Sequence, residues 1–161
     1  MPHRSINKSR KQLILFLTIP VAVGLVSAIL SMRGMKRFAA VAQPPLSPPG
    51  WLFPVVWTLL YLMMGYASWR IRQTDVPLRR ERALRWYGAQ LAANFLWSPL
   101  FFALSAYLPA LLWLLVLVGL TTGTMLTFRK LDRTAGLLLL PYLCWLLFAC
   151  YLNAGVWVLN R

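Results

Sequence analysis

The sequence predicts an all-α integral membrane protein, a bundle of five transmembrane helices. Three observations lead there. Apolar residues make up 60% of the 161-residue chain, above the roughly 45–50% of a soluble domain. They gather into five long runs, each near the ~20 residues that cross ~30 Å of hydrocarbon as a helix. Seventeen Lys and Arg stand against three acids, for a net charge of +14. These cations cluster between the runs and form no continuous face, which argues against nucleic-acid binding and for a membrane topology.

The first run, 13–32, follows a basic tail over residues 1–12. A cleavable signal peptide has a similar charge order, but this run is long enough to be kept as a span. The second run covers 51–70, the third 84–104, the fourth 108–128 and the fifth 135–158, so residues 13–161 form a single domain. Pro20, Pro99 and Pro141 interrupt the first, third and fifth runs. A proline there removes a backbone donor and either kinks the helix around a cavity or is tolerated. Thirteen cations fall on one side of a five-span chain, against four (Arg33, Lys36, Arg37 and Arg161) on the other. The excess places the N-terminus in the cytoplasm and the C-terminus outside.

The runs contain no Asp or Glu and no histidine, His3 being in the tail. Coupled transport usually needs an intramembrane ionisable group. The same gap excludes a histidine-ligated metal or haem inside the bundle and a Ser-His-Asp set. No metal and no cofactor are expected. Cys144 and Cys150 lie six residues apart on one helix, on different sides, and read as packing residues.

Tryptophan carries the remaining information. Trp51, Trp69, Trp86 and Trp157 sit near run ends and suit an interfacial belt. Trp57, Trp97 and Trp145 sit deeper, where an indole N–H needs an acceptor; packing and ligand binding both explain them. Tyr61 shares a face with Trp57, and Asn94 shares one with Trp97 and Ser98. Pro141, Trp145, Ala149 and Asn153 recur every four residues. Small beside large makes either a recess for a flat ligand or a close helix contact. Gly88, Ala89, Ala92 and Ala93 give a small-xxx-small pattern twice, a signal for a homodimer through the third run.

Three motifs go further. "PPGWLFPVVWTLLY" (48–61), "AANFLWSPLFF" (92–102) and "LDRTAGLLLLPYLCWLLFACYLN" (131–153) occur in this order. With them the chain resembles the translocator protein family, also called tryptophan-rich sensory proteins or peripheral-type benzodiazepine receptors, in a bacterial-type form. The resemblance implies a homodimeric five-helix bundle with a pocket covered by the first loop. It implies binding of porphyrins such as protoporphyrin IX and of flat hydrophobic drugs. It also implies, as an alternative, slow light- and oxygen-dependent porphyrin breakdown at Trp57 and Trp145, or passive transport of porphyrin or lipid.

The ligand-binding residues expected are Trp51, Trp57, Tyr61, Asn94, Trp97, Trp145, Ala149 and Leu152. Arg33, Lys36 and Arg37 of the first loop are candidates for the porphyrin carboxylates. The charge bias fits a bacterial inner membrane, although some bacterial relatives are assigned to the outer one. The chain departs from the family at three places. Arg37 and Phe38 replace a Trp-Tyr pair, Leu46 replaces a tryptophan, and Ala154 stands where animal members carry the tyrosine of a sterol motif. A lid poorer in aromatic surface, and no specific sterol site, are the expectations. The proline stretch before Trp51 allows two helix starts, one at Pro48 capped by Ser47 and one nearer Pro54.

Overall fold

The computed structural model describes residues 3–161, with side chains described from Ser9 onward; the side chains of His3, Arg4 and Lys8 lie outside the described set. Every regular element described is helical. The elements are α1 (His3–Phe38), α2 (Leu52–Arg72), α3 (Pro77–Ser98), a π turn that continues α3 (Pro99–Ala103), α4 (Tyr107–Leu131), α5 (Arg133–Leu137) and α6 (Leu140–Leu159). Four stretches are long and apolar enough to cross a membrane: Ser9–Phe38, Leu52–Arg72, Tyr107–Leu131 and Arg133–Leu159. The protein is thus an integral membrane helical bundle. α3 stands apart because Arg79, Arg80, Glu81, Arg82 and Arg85 occupy its first turns. The apolar run read over 84–104 is split between the rest of α3 and the π turn.

The helices close a ring. α1 packs on α2 and α3, α3 on α4, α4 on α5 and α6, and α5 on α2. The seam between α2 and α6 is bridged by aromatic side chains, with the Phe53 and Trp145 rings 5.9 Å apart and Trp57 and Tyr142 6.1 Å apart. Leu60, Met64, Leu114, Leu117, Tyr142 and Leu146 form the centre of the core.

Each interrupting proline has a local solution. Pro99 lacks the N–H that would bond the Phe95 carbonyl one turn earlier. The Ser27 hydroxyl of α1 donates to that carbonyl instead, at 2.7 Å. Pro20 frees the Phe16 carbonyl in the same way, and Gly65 of α2 lies against it; a Cβ at Gly65 would sit 2.5 Å from that oxygen. Pro141 falls in the first turn of α6, where a missing N–H costs nothing. α2 begins at Leu52 with no side-chain cap. Ser47 donates to the Pro44 carbonyl at 2.8 Å and caps nothing, so the start at Pro48 is not used.

The two ends of the bundle differ. At the basic end, the Arg70 Nε donates to Asp132 Oδ2 at 2.8 Å, and Asp132 Oδ1 accepts from the Ala135 N–H at 3.0 Å. One carboxylate therefore ties α2 to the α4–α5 corner and caps α5. At the other end, the loop 39–51 folds over the bundle. Asn160 grips the Ala42 backbone through both amide groups, at 2.8 and 3.1 Å. The Tyr151 hydroxyl donates to the Pro45 carbonyl at 2.8 Å. Pro44 rests on Gly155, where a Cβ would leave no room for the ring.

Candidate functional site

Beneath this lid lies a cavity of about 510 Å³ between α1, α2 and α3. α1 supplies Gly24, Ser27, Ala28, Met35 and Phe38; α2 supplies Phe53, Trp57 and Tyr61; α3 and its π turn supply Asn94, Trp97, Ser98 and Phe102. No lining side chain is charged. The Trp57 ring lies 5.5 Å from Tyr61 and 6.3 Å from Trp97, both inclined by about 30° to it. Trp97 in turn stacks on Phe101 at 5.5 Å. The result is an extended aromatic wall with a polar floor.

The floor is a chain of three groups. The Tyr61 hydroxyl donates to Asn94 Oδ1 at 2.7 Å, and Asn94 Nδ2 donates to the Tyr142 hydroxyl at 2.7 Å. An amide at bilayer depth is costly unless bonded, and here both of its ends are engaged by residues of two other helices. Gly24 makes this possible, since a Cβ there would collide with the Tyr61 ring. Ser98 donates to Ser31 at 3.0 Å and Ser31 to the Ser27 carbonyl at 2.8 Å, which knits the remaining wall to α1.

A second, much smaller space of about 40 Å³ lies on the α6 side. Trp145, Ala149, Leu152 and Asn153 line it. Six residues line both spaces: Phe38, Gln43, Phe53, Trp57, Trp97 and Phe102. They form a partition, with Phe53 edge-on to Trp145. The Asn153 side-chain amide faces α4, its two polar atoms 2.8 Å from the Tyr107 carbonyl oxygen and 3.2 Å from the Leu111 backbone nitrogen.

The expected site residues therefore fall into three groups. Trp57, Tyr61, Asn94 and Trp97 come together around the large cavity. Trp145, Ala149 and Leu152 gather behind the partition. Trp51 is 67% exposed and lines neither space. Arg33, Lys36 and Arg37 are on the last turns of α1, not in a loop, because α1 continues to Phe38. All three are exposed, and Arg37 donates to the Ala103 carbonyl at 3.2 Å. Of the small residues on α3, Gly88, Ala89 and Ala92 face outward. Ala93 is turned inward against α4, its carbonyl accepting the Trp113 indole N–H at 2.8 Å.

Leu46 is 82% exposed and lines neither space. The leucine at this position therefore contributes nothing to either wall. Phe38 lines both and packs on Phe101 and Phe102 at 5.2 and 5.3 Å. The contribution of α1 was missed from the sequence. Gly24 and Ala28, small residues one turn apart within an apolar helix, were the available signal.

Comparison with known proteins places this architecture. The profile of the TspO/MBR family matches residues 16–158. The chain belongs to the TspO/MBR family. It is 33% identical over 162 residues to the tryptophan-rich protein TspO of Chlorobaculum tepidum, covering 96% of this chain and 99% of that one. It is 43% identical over 146 residues to the translocator protein homolog of Schizosaccharomyces pombe, covering 88% of each. The tryptophan-rich sensory protein of Cereibacter sphaeroides is 36% identical over 147 residues, covering 91% of each. As a family member, the chain is a membrane protein related to translocator and sensory proteins.

Proposed function

We propose that this TspO/MBR protein binds flat hydrophobic ligands of the protoporphyrin IX type, and hydrophobic drugs, in the large cavity beside Trp57. The single observation that carries the reading is the uncharged 510 Å³ cavity with an aromatic wall and a hydrogen-bonding floor. Apolar pockets with a few placed polar groups are typical of small-molecule sites, and this volume lies within their ~300–1,000 Å³ range. A macrocycle would lie against Trp57 and Trp97. Its carboxylates would remain at the rim near Arg33, Lys36 and Arg37, since the cavity itself offers no counter-charge.

Titration of the protein in lipid nanodiscs with protoporphyrin IX tests this. Saturable binding that weakens in Trp57→Ala supports it, and binding unaffected by that change contradicts it.

A second reading is light- and oxygen-dependent porphyrin breakdown. The observation favouring it is that the Trp57 indole borders the cavity directly, so it could donate an electron to an excited macrocycle without acid or base. Under this reading Trp57 and Trp145 are the residues to remove, and product formation in light against darkness is the readout. The alternative of passive porphyrin or lipid transport is tested by flux into liposomes.

The membrane disposition belongs to the same proposal. α3 with its π turn is the third of five spans, the N-terminus is cytoplasmic, and the membrane is a bacterial inner membrane. Outward-facing Gly88, Ala89 and Ala92 are the homodimer contact, which cross-linking in bilayers checks.

A further inference from the structure

We propose that the outer face of α3, at the basic end of the bundle, binds the phosphate of an anionic phospholipid through Arg82 and Arg85. The inference concerns the lipid-facing surface of the molecule, which the ligand reading does not use.

The depth of these residues follows from the helices beside them. α1 and α2 are both long and apolar enough to cross a membrane, and α3 packs on both. α1 carries no charge between Lys11 and Arg33, a length of roughly 30 Å, so Gln12 marks the edge of the hydrocarbon. Gln73, just past α2, donates to Gln12 at 3.4 Å and lies at the same edge. α2 and α3 run antiparallel, with Tyr61 meeting Asn94 and Met64 meeting Gln90 one turn on. Two further turns bring Arg82 level with Arg72 and Gln73. Arg85 then lies about 4.5 Å deeper, level with Arg70. Trp86 follows Arg85 directly, and Trp69 stacks on Tyr66 at 5.6 Å beside Arg70. Indoles at this depth are the interfacial belt.

Two cations at one depth are treated differently. Arg70 turns towards the bundle and meets Asp132 at 2.8 Å. Arg82 and Arg85 turn outward. They are three residues apart and share a face; both are exposed, while Ala83 and Tyr87 between and beyond them are buried. The chain has only three acids. Asp132 is occupied by Arg70 and the Ala135 N–H. Asp75 and Glu81 make no ion pair among the described residues. The outward pair therefore lacks a counter-charge from the protein. Leu78 lies one turn before Arg82 on the same face and is 84% exposed.

A guanidinium at the hydrocarbon edge needs an anion or must reach back to water. Two of them on neighbouring turns can grip one phosphate through paired N–H donors. At this depth the phosphate within reach is that of a phospholipid, whose acyl chains already lie beside the helix. Leu78 adds apolar surface next to the charge, which suits a lipid and offers nothing to a free phosphate. A zwitterionic headgroup carries its own cation to the same place, so the fit favours a lipid with net negative charge.

Native mass spectrometry of the full chain tests this, with phosphatidylglycerol and phosphatidylcholine titrated into the detergent-solubilised protein. Phosphatidylglycerol should bind about tenfold more tightly than phosphatidylcholine. Arg82→Gln and Arg85→Gln should each weaken phosphatidylglycerol about fivefold and leave phosphatidylcholine unchanged. Arg133→Gln removes the same charge at the same end of the bundle, but on α5, and should change either lipid by less than about twofold. Inorganic phosphate at millimolar concentration should not displace the lipid. Equal affinity for the two lipids in the wild-type protein would overturn the proposal. So would unchanged binding in Arg82→Gln and Arg85→Gln, an equal loss in Arg133→Gln, or displacement by inorganic phosphate. Melting in phosphatidylcholine nanodiscs should be unchanged in all three variants. A drop confined to Arg82→Gln and Arg85→Gln there would assign these arginines to the fold and overturn the lipid site.

Discussion

The lid half and the basic half of this bundle are built from the same helices but solve opposite problems. In the lid half, aromatic rings hold α2, α3 and α6 apart and leave about 510 Å³ between α1, α2 and α3. In the basic half, small residues draw the helices together. Gly65 lies on the backbone of α1, Gly136 on Arg129, and Ala83 and Ile71 are wholly buried. The Arg70–Asp132 pair then fixes the corner. Residue size along each helix thus decides where the bundle can hold a ligand and where it serves as a rigid base.

The comparison can be broken most severely in the lid half, where α1 meets the π turn. Gly34 of α1 sits on the backbone of the π turn at Phe102 and Ala103, and any side chain there collides with main chain. Gly34→Val should cost several kcal/mol, of the order of overpacking beyond ~1–3 kcal/mol because backbone cannot step aside. Loss of folded protein after detergent extraction is the expected outcome. Near-normal melting would show that the π turn is not fixed by this contact.

Next in size is the partition. Phe53→Ala should join the two spaces and remove the ring that screens Trp145. The expected result is at least a tenfold gain for ligands too bulky for the large cavity alone, relative to smaller flat ligands. Equal changes for both sizes would place the partition elsewhere.

The basic half is sharpened by Asp132. Burial pushes its carboxyl pKa up, but the Ala135 N–H and the Arg70 guanidinium more than offset this and hold it below its ordinary value. A depressed folded value means stability that is present above the unfolded pKa of about 3.9 and is lost as pH falls below it towards the folded value. Melting should therefore be flat from pH 7 to about 5 on this account and drop below about 4. Asp132→Asn should remove that acid dependence and cost ~1–2 kcal/mol, combining a lost cap with a half-exposed ion pair. An unchanged acid limb would assign it to another group.

The smallest expected effect is at Leu46, which holds a φ of 67°. A non-glycine residue there is strained, so Leu46→Gly should stabilise by up to ~1 kcal/mol. Leu46→Trp should leave ligand affinity within twofold, because the side chain lines neither space.

How much of this was legible in the sequence follows from the same contrast. Helical runs are read from apolar length, and all five have helical counterparts. The split of the third came from Pro99, whose freed carbonyl is served by a serine 68 residues away, a partner that no local pattern announces. Trp57, Tyr61, Asn94 and Trp97 were legible because motif and helical spacing both single them out. The partition was not, because Phe53 is one of many aromatics until the distance to Trp145 is known. The loop cations were misplaced because α1 runs on to Phe38 through residues that read equally well as loop.

The central claim is that ligand occupies the large cavity and meets Trp57, while Trp145 stands behind the partition. Protoporphyrin IX dissociation constants in nanodiscs for Trp57→Phe and Trp145→Phe test it most directly. The loss of about 1 kcal/mol of aromatic contact predicts a roughly fivefold weakening for Trp57→Phe, and a change of less than twofold for Trp145→Phe. The reverse order, or equal weakening in both, would contradict the account.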